Sequence, residues 1–437
     1  MLLLTIGLLL LLSMVSFAIF DKDIFSPPTI VSLGLLFSSL CAFYNEKRWG
    51  LEFSGYTTWV IVAAVVCFIV GGALAFVLSS AGRSKKTRFS HFVSVAEPIE
   101  VSKAKTTLVI AFQTASLLLL VYSLRKMSGG LSLQSIASEY RHQVASLNPA
   151  EVSFKIPGWV KQTISFSFFL ALVYAYIVGN NLAIHYKQPI INWIPIVLSC
   201  IAAFLQGYRA DMIRLWIALL VISYTLRKRA VGWRPNKDSS KMLCRMALSV
   251  VGIGLLFVAM RGVVGRNSSR DPVSYLTFYA GCPVAAFDQF LKQPFEKSDI
   301  WGKETFYYLN QGIAILFKRS ELRYNFFKEF IRSPKGVQIG NVYTAIRPPY
   351  YDFGFAGMCV YMVVMGLFYT FIYCKVREKT GSNKIDFLLL LYSYFAYTFF
   401  LYFYNCYNSF FTITFLKNIV YLIAICWFIT KVKVKVR

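Results

Sequence analysis

Charged residues are scarce in this chain: they occupy 15% of the 437 positions, whereas hydrophobic residues occupy 57%. A chain with so many hydrophobic residues cannot bury them all in one water-soluble core, so we expect it to be surrounded by lipid. Acids are scarcer still, because 20 Asp and Glu stand against 46 Lys and Arg, for a formal net charge of +26. The basic residues lie in short segments between hydrophobic runs, where they set membrane topology. We therefore expect contact with membrane lipids and no nucleic-acid partner.

Signals for metals, disulfides and secretion are also missing. The nine cysteines form no CxxC pair and the three histidines have no ligand spacing, which argues against a zinc site or a disulfide framework. The first twenty residues lack a basic start and a small-residue cleavage site before Asp21, so they predict a retained first span. No internal repeat is present, which argues against an inverted-repeat transporter.

Hydrophobic runs of roughly eighteen residues recur along the whole chain, each long enough to cross a layer of ~30 Å as a helix. They predict an all-α integral membrane protein, a single polytopic domain over 1–437 with about eleven transmembrane helices (ten to twelve). The predicted spans are 2–20, 27–44, 58–80, 106–124, 159–179, 190–206, 211–226, 243–260, 352–373, 386–404 and 411–430.

Four connecting segments are strongly basic and therefore predict the cytoplasmic side. They lie at 83–88, 227–237, 375–379 and in the tail KVKVKVR. Even numbers of spans separate them, so one orientation satisfies all four. This orientation places the carboxyl terminus in the cytoplasm and the amino terminus in the periplasm. It also places segments 45–57, 125–158 and 261–350 on the periplasmic side.

The exported segment 261–350 is the one sizeable aqueous piece, about ninety residues long. Two stretches in it have aromatics at helical spacing, SYLTFYAGCPVAAFDQFLKQ and ETFYYLNQGIAILFKRSEL. They predict two amphipathic helices that lie on the membrane surface.

Arginines on the exported side oppose the positive-inside bias, and two are deeply placed. The segment LQGYRADMIRLW joins spans six and seven with almost no loop, which sets Arg209, Asp211 and Arg214 near the outer surface. A charge there costs a few kcal/mol unless it is paired or faces a wet cavity. One interpretation is an internal ion pair that closes a helical hairpin; the other is a guanidinium site for a phosphate-bearing ligand, which arginine binds bidentately.

Further candidates lie on the same side of the membrane. Phosphate or glycan contacts are assigned to Arg261, Arg266, Arg270 and Arg347, and stacking on sugar rings to aromatics such as Tyr343 and Tyr351. A general base is sought among Glu139, Asp271, Asp288 and Asp352, or His142, the only exported histidine. Asp352, in RPPYYDFGFAG, is equally interpretable as a helix N-cap.

With these residues in place, the chain resembles the Wzy-type O-antigen polymerases of bacteria along its full length. The resemblance is carried by KDIFSPPTI, RWGLEFSGYTTW, EYRHQ, GYRADMIRLW and GNVYTAIRPPYYDFG, together with the large outer loop. It implies a GT-C-like glycosyltransferase of the inner membrane, inverting, metal-independent and without a cofactor. The reaction would transfer a growing glycan from undecaprenyl pyrophosphate to the next lipid-linked repeat unit at the periplasmic face.

The resemblance also implies roles for particular residues. Arg209 matches the arginine that similar polymerases and ligases place at a short outer turn, and Arg141 matches the arginine of the preceding outer loop. Arg270 and Gly281 fit the spacing of an Arg followed eleven positions later by Gly in some relatives. A chain-length regulator and a flippase are the implied partners.

Two other functions fit part of the pattern. A flippase or transporter of lipid-linked oligosaccharides also needs many spans and cations, but transporters usually keep short loops and place charges near the bilayer midplane. An O-antigen ligase shares the topology and differs in its acceptor.

Overall fold

The computed structural model describes residues 1–80, 97–128, 156–207, 209–233, 271–324, 328–378, 385–407 and 412–432, with isolated positions between 244 and 258. Its α-helices are α1 (Leu2–Ile19), α2 (Pro27–Tyr44), α3 (Glu46–Trp49), α4 (Gly55–Ser80), α5 (Lys103–Ser128), α6 (Gly158–Ala183), α7 (Ile194–Leu205), α8 (Arg209–Ala230), α9 (Pro272–Leu291), α10 (Tyr307–Leu316), α11 (Arg347–Glu378), α12 (Phe387–Phe395), α13 (Tyr397–Phe400) and α14 (Ile413–Lys431). Short 3₁₀ turns cover Ile190–Trp193 and Ser320–Leu322, and an antiparallel pair joins β1 (Ile331–Arg332) to β2 (Gln338–Gly340).

The chain is a mainly helical, multi-pass membrane protein, as its hydropathy predicts. Within the described residues, seven helices are long and apolar enough to cross a membrane: α1, α2, α4, α5, α6, α11 and α14. The predicted span 190–206 is a shorter apolar helix, and 386–404 is divided between α12 and α13. Most of the predicted span 243–260 lies outside the described residues, as do the basic segment 83–88 and most of the basic tail.

The chain divides into two compact units. One contains Met1–Arg88, Arg270–Glu378 and Thr398–Leu416; the other contains Phe89–Ser269, Lys379–Tyr397 and Lys417–Arg437.

The first unit is built around close helix crossings at glycines. A Cβ at Gly71 of α4 would overlap the carbonyl of Val363 in α11, and one at Gly366 of α11 would overlap that of Phe68. Without side chains at these positions the two backbones approach directly, as small residues allow in membrane helices. Gly281 of α9 does the same against α2, where its Cβ would lie 2.6 Å from the backbone nitrogen of Ala42.

The helix α9 starts at a clear sequence signal. Asp271 is its N-cap and accepts a hydrogen bond from the Ser274 backbone N–H at 3.0 Å, and Pro272 takes the first helical position. The stretch from Ala280 to Phe290 is buried, partly through the crossing with α2. The amphipathic helices predicted in 261–350 are therefore present as α9 and α10, and α9 packs into the first unit.

Polar contacts in this unit gather at the two ends of its helices. At one end, the Asp288 carboxylate accepts hydrogen bonds from the Ser54 backbone N–H and the Thr57 hydroxyl, at 2.9 and 2.8 Å. At the other, Arg377 pairs with Asp21 at 3.2 Å. Segment 45–57 and helix α9 thus share one end, while 20–26 and the end of α11 share the opposite one. This grouping is the one that the parity of the basic segments requires.

The second unit centres on α6, which packs against α5, α7 and α8. Gln113 of α5 donates to the carbonyls of Ser167 and Pro195 at 3.0 and 3.1 Å. Arg229 at the end of α8 forms a buried ion pair with Asp386 at 2.9 Å, and Asp386 also caps α12.

Candidate functional site

The first turns of α11 carry the candidate site of the first unit. Arg347 begins this helix, and Pro348 and Pro349 follow in its first turn, where a missing N–H costs nothing. Gly354 interrupts the helix with φ 69° and ψ −168°, a backbone conformation that side chains with a Cβ rarely adopt. The short segment from Arg347 to Phe353 is thereby set at an angle to the long membrane-crossing part of the helix.

Arg347 is buried at the centre of this site, with a side chain only 3% exposed. Its Nη2 donates to Glu304 Oε1 at 3.1 Å and to Glu329 Oε2 at 2.9 Å. Its guanidinium carbon lies 4.5 Å from the ring centroid of Phe290 and 3.9 Å from that of Tyr343, and the two ring planes are 76° apart. A planar cation suits this place because it packs against aromatic rings and bonds carboxylates.

Asp352 holds the turn that presents Glu304. Its carboxylate accepts hydrogen bonds from the backbone N–H groups of Glu304 and Thr305, the shortest at 2.7 Å. Because α11 begins at Arg347, five residues earlier, the N-cap interpretation of Asp352 is wrong for its own helix. The carboxylate instead fixes a turn that lies more than forty residues earlier in the chain.

Glu304 has the most perturbed carboxyl of the site. Its side chain is 2% exposed, and burial raises its pKa to about 7 against the opposing charges of Arg347 and Lys328. Burial likewise lowers the pKa of Lys328, whose ammonium donates to Asn405 at 3.0 Å. Burial acts to raise the pKa of Glu329, but the charge of Arg347 and the hydrogen bonds to the carboxylate together outweigh it, so the pKa is lowered. Near neutral pH the protonated and the ionised forms of Glu304 are therefore both populated.

A cavity of about 390 Å³ opens beside this cluster. Its apolar wall comprises Phe290, Pro294, Phe295 and Tyr351. Its polar wall comprises Gln293, Glu296, Lys303, Glu304, Glu329 and Arg347. The rings are close together, with the centroid of Phe295 4.7 Å from that of Phe290 and 5.6 Å from that of Tyr351. The cavity thus joins an aromatic face to a set of charged groups, as expected of a ligand site.

Three of the residues predicted from sequence meet here, and a fourth lies just behind. Arg347 and Tyr351 line the cavity, and Asp352 holds its turn. Tyr343 is fully buried behind Arg347, and its hydroxyl donates to the Glu329 carbonyl at 2.8 Å. The ring of Tyr343 therefore supports the arginine rather than facing the cavity.

The turn between α7 and α8 has the short connection that the sequence predicts. α7 ends at Leu205 and α8 begins at Arg209, whose side chain lies outside the described residues. Arg214 forms an ion pair with Asp211 at 3.2 Å, and its guanidinium carbon lies 4.0 Å from the ring centroid of Tyr397. The internal pair is thus formed.

The remaining predicted residues divide into two groups. Glu139, Arg141, His142, Arg261, Arg266 and Arg270 lie outside the described residues. The other two acids considered as bases are occupied by structural contacts: Asp271 caps α9, and Asp288 is fully buried, bonded to Lys292 at 2.7 Å in addition to its contacts with Ser54 and Thr57.

Sequence reasoning did not single out Glu304, Glu329 and Lys328. Glu304 starts an amphipathic stretch, where an acid is usually solvated or caps a helix. Glu304 lies 43 residues before Arg347 in the sequence, and Glu329 lies 18 residues before Arg347, yet both carboxylates bond its guanidinium. No motif spacing marks these contacts; the available signal was the density of aromatic residues around each of them.

Fold and candidate site together define a class: a helical, multi-pass membrane protein with a cluster of one buried arginine and two carboxylates. The family model of O-antigen polymerases matches residues 155–400, more than half of the chain. The chain therefore belongs to the O-antigen polymerase family, whose activity is of the glycosyltransferase type. No curated protein and no solved structure matches the chain.

Proposed function

We propose that this protein polymerises undecaprenyl-pyrophosphate-linked oligosaccharide repeat units into O-antigen at the periplasmic face of the bacterial inner membrane. The observation that carries the proposal is the cavity beside Arg347 and Glu304 in a chain of this family. It combines an aromatic wall with a buried carboxyl whose pKa burial raises to about 7, the groups that a sugar acceptor needs.

The arrangement of the first unit supports a periplasmic site. The cavity residues lie at the helix end that also holds 45–57, while Arg377 and Asp21 mark the opposite end. Lys375 and Arg377 lie in the last turn of α11, at that opposite end, and basic residues favour the cytoplasm.

The chemistry proposed is an inverting transfer. The acceptor hydroxyl attacks the anomeric carbon of the donor glycan from the face opposite the pyrophosphate, and the bond to the pyrophosphate oxygen breaks. The donor is already activated, so positioning and charge stabilisation supply the catalysis, with no metal or cofactor in the proposed reaction.

The leaving pyrophosphate needs cations, and we assign Arg209 to it. Its place at the start of α8, on the turn that the resemblance singled out, supports this role. Arg214 would assist, since its guanidinium is held by Asp211 and Tyr397. Arg141, Arg261, Arg266 and Arg270 remain further candidates for phosphate contacts, as do Glu139 and His142 for proton transfer.

The test is a lipopolysaccharide gel of the source strain with this gene deleted. Deletion should leave core plus one repeat unit, and wild type should restore the ladder. Arg209→Ala at equal membrane level should fail, whereas Arg319→Ala, an arginine in an exposed surface pair, should succeed. An intact ladder after deletion would contradict the proposal, and loss of the single-repeat band would favour a flippase or a ligase.

A further inference from the structure

The cavity wall contains buried polar atoms whose hydrogen bonds are not made within the described structure. Glu304 Oε2 is one, and Arg347 Nε and Nη1 are two more. Both side chains are at least 97% buried, and buried polar groups are almost always hydrogen-bonded. A missing ligand that both donates and accepts would satisfy them. A hydroxyl group does so, because its hydrogen can reach the carboxylate while its oxygen accepts from the guanidinium.

The charge of the wall argues against a phosphate in this cavity. Three glutamates, Glu296, Glu304 and Glu329, line the wall with Lys303 and Arg347, and the charge of Lys328 also acts on Glu304. Arg347 is already bonded to two of those carboxylates. The wall therefore offers no net positive charge to compensate a pyrophosphate in a poorly solvated site. The ligand that fits is neutral and rich in hydroxyl groups.

The apolar wall fits the same class of ligand. Phe290, Phe295 and Tyr351 present neighbouring rings, which pack against the C–H faces of sugars. The volume of about 390 Å³ lies within the range of small-molecule sites, roughly 300–1,000 Å³.

We infer that this cavity binds the non-reducing sugar of the acceptor repeat unit and that Glu304 is the general base for its attacking hydroxyl. The inference rests on the proposed function and deepens it. Glu304 Oε2 takes the hydroxyl proton as the oxygen bonds to the donor's anomeric carbon. The electron pair of the broken bond leaves with the pyrophosphate, and the proton passes from Glu304 to solvent.

Two neighbours make Glu304 suitable for this role. Arg347 and Asp352 are positioning residues: the first bonds Oε1, while Oε2 has no hydrogen-bond partner among the described residues, and the second fixes the turn. The pKa of about 7 lets the carboxyl accept a proton and release it near neutral pH. The charged and titratable groups around it include Arg347, Lys328, Asp352, Glu329, Tyr324, Tyr343 and Tyr351, with Lys303 and Glu296 on the same cavity wall.

The test uses the full-length protein in liposomes, supplied with lipid-linked repeat units extracted from a polymerase-deletion strain. Glu304→Gln should lower kcat about 10²–10⁴-fold, the usual contribution of a general base, with KM for the repeat unit changed only a few-fold. The wild-type rate should rise with pH through about 7, and the variant should lose that ionisation. The matched control is Glu321→Gln, the same charge change on an exposed residue, which should keep both rate and profile.

A second measurement separates the acceptor site from folding. The free repeat-unit oligosaccharide, without lipid or pyrophosphate, should inhibit the wild type competitively with the acceptor. Tyr351→Ala should raise its inhibition constant at least about ten-fold, a loss of 1.4 kcal/mol. The melting temperature shows whether Glu304→Gln folds. If it does not fold, the wild-type pH profile tests the role of Glu304, and the inhibition by the free oligosaccharide tests the acceptor site.

The outcomes are distinct. A wild type that forms no polymer would overturn the proposed function. A wild type that polymerises with a flat pH profile, or a folded Glu304→Gln at wild-type rate, would overturn the inference about Glu304 and leave the proposed function standing.

Discussion

The buried pair of Arg347 and Glu304 predicts strong energetic coupling. Arg347→Met removes the hydrogen bonds to both glutamates and leaves the Glu304 carboxylate buried without its cation. Breaking a buried ion pair from one side typically costs 3–5 kcal/mol, so we expect about that loss in the free energy of unfolding. Glu304→Gln should cost less, about 1–3 kcal/mol, because Arg347 retains Glu329.

The double variant, with Arg347→Met and Glu304→Gln, should lose much less free energy of unfolding than the two single variants lose together. Once both partners are neutral, no uncompensated charge remains, and we expect a coupling energy of about 2 kcal/mol. Unfolding by a denaturing detergent titrated into mild micelles, followed by tryptophan fluorescence, gives the four free energies of the cycle.

The control cycle uses Arg319 and Glu321, whose side chains are 66% and 59% exposed. Exposed pairs contribute roughly 0–1 kcal/mol, so this cycle should be close to additive. If the buried cycle were as additive as the exposed one, the electrostatic account of the site would be refuted.

Four further predictions follow from single contacts. Gly354→Ala should lower stability by about 1–3 kcal/mol in the same detergent titration, because its φ of 69° strains any residue with a Cβ. Asp352→Asn should weaken the turn at Glu304 and cost about 1–3 kcal/mol; a fully active, equally stable variant would contradict its positioning role. Arg229→Met should cost about 3–5 kcal/mol by stranding the buried Asp386, and Asp386→Asn in the same chain should recover part of it. Since burial raises the pKa of Glu304 from 4.5 to about 7, its contribution to stability is complete below pH 4.5 and is lost as the pH rises through about 7. The melting temperature should thus fall more between pH 5 and 8 in wild type than in Glu304→Gln.

The helices of the membrane part were predictable because they follow local signals. The predicted span 27–44 matches α2, where Ser26 precedes two prolines at the helix start. The short turn before Arg209 also follows from sequence, since polar residues interrupt two apolar runs for only a few positions. Hydropathy measures the fit of each segment to lipid, and such segments fold as helices with little help from distant residues.

The site was harder to predict because tertiary contacts create it. Asp352 looks like a helix cap in sequence, yet it bonds backbone groups of Glu304 and Thr305. Arg347 looks like one more loop cation, and its contacts with Phe290 and Tyr343 join residues that are distant from one another in the chain. Charge and residue type can nominate such groups, but burial decides their pKa and their role.

The central claim is that this chain itself joins lipid-linked repeat units. The most direct measurement is polymerisation by the purified protein in liposomes that contain only undecaprenyl-pyrophosphate-linked repeat units. We predict a glycan ladder together with one released undecaprenyl pyrophosphate for each new glycosidic bond. Absence of both products from folded protein, or movement of intact repeat units across the bilayer without bond formation, would contradict the account.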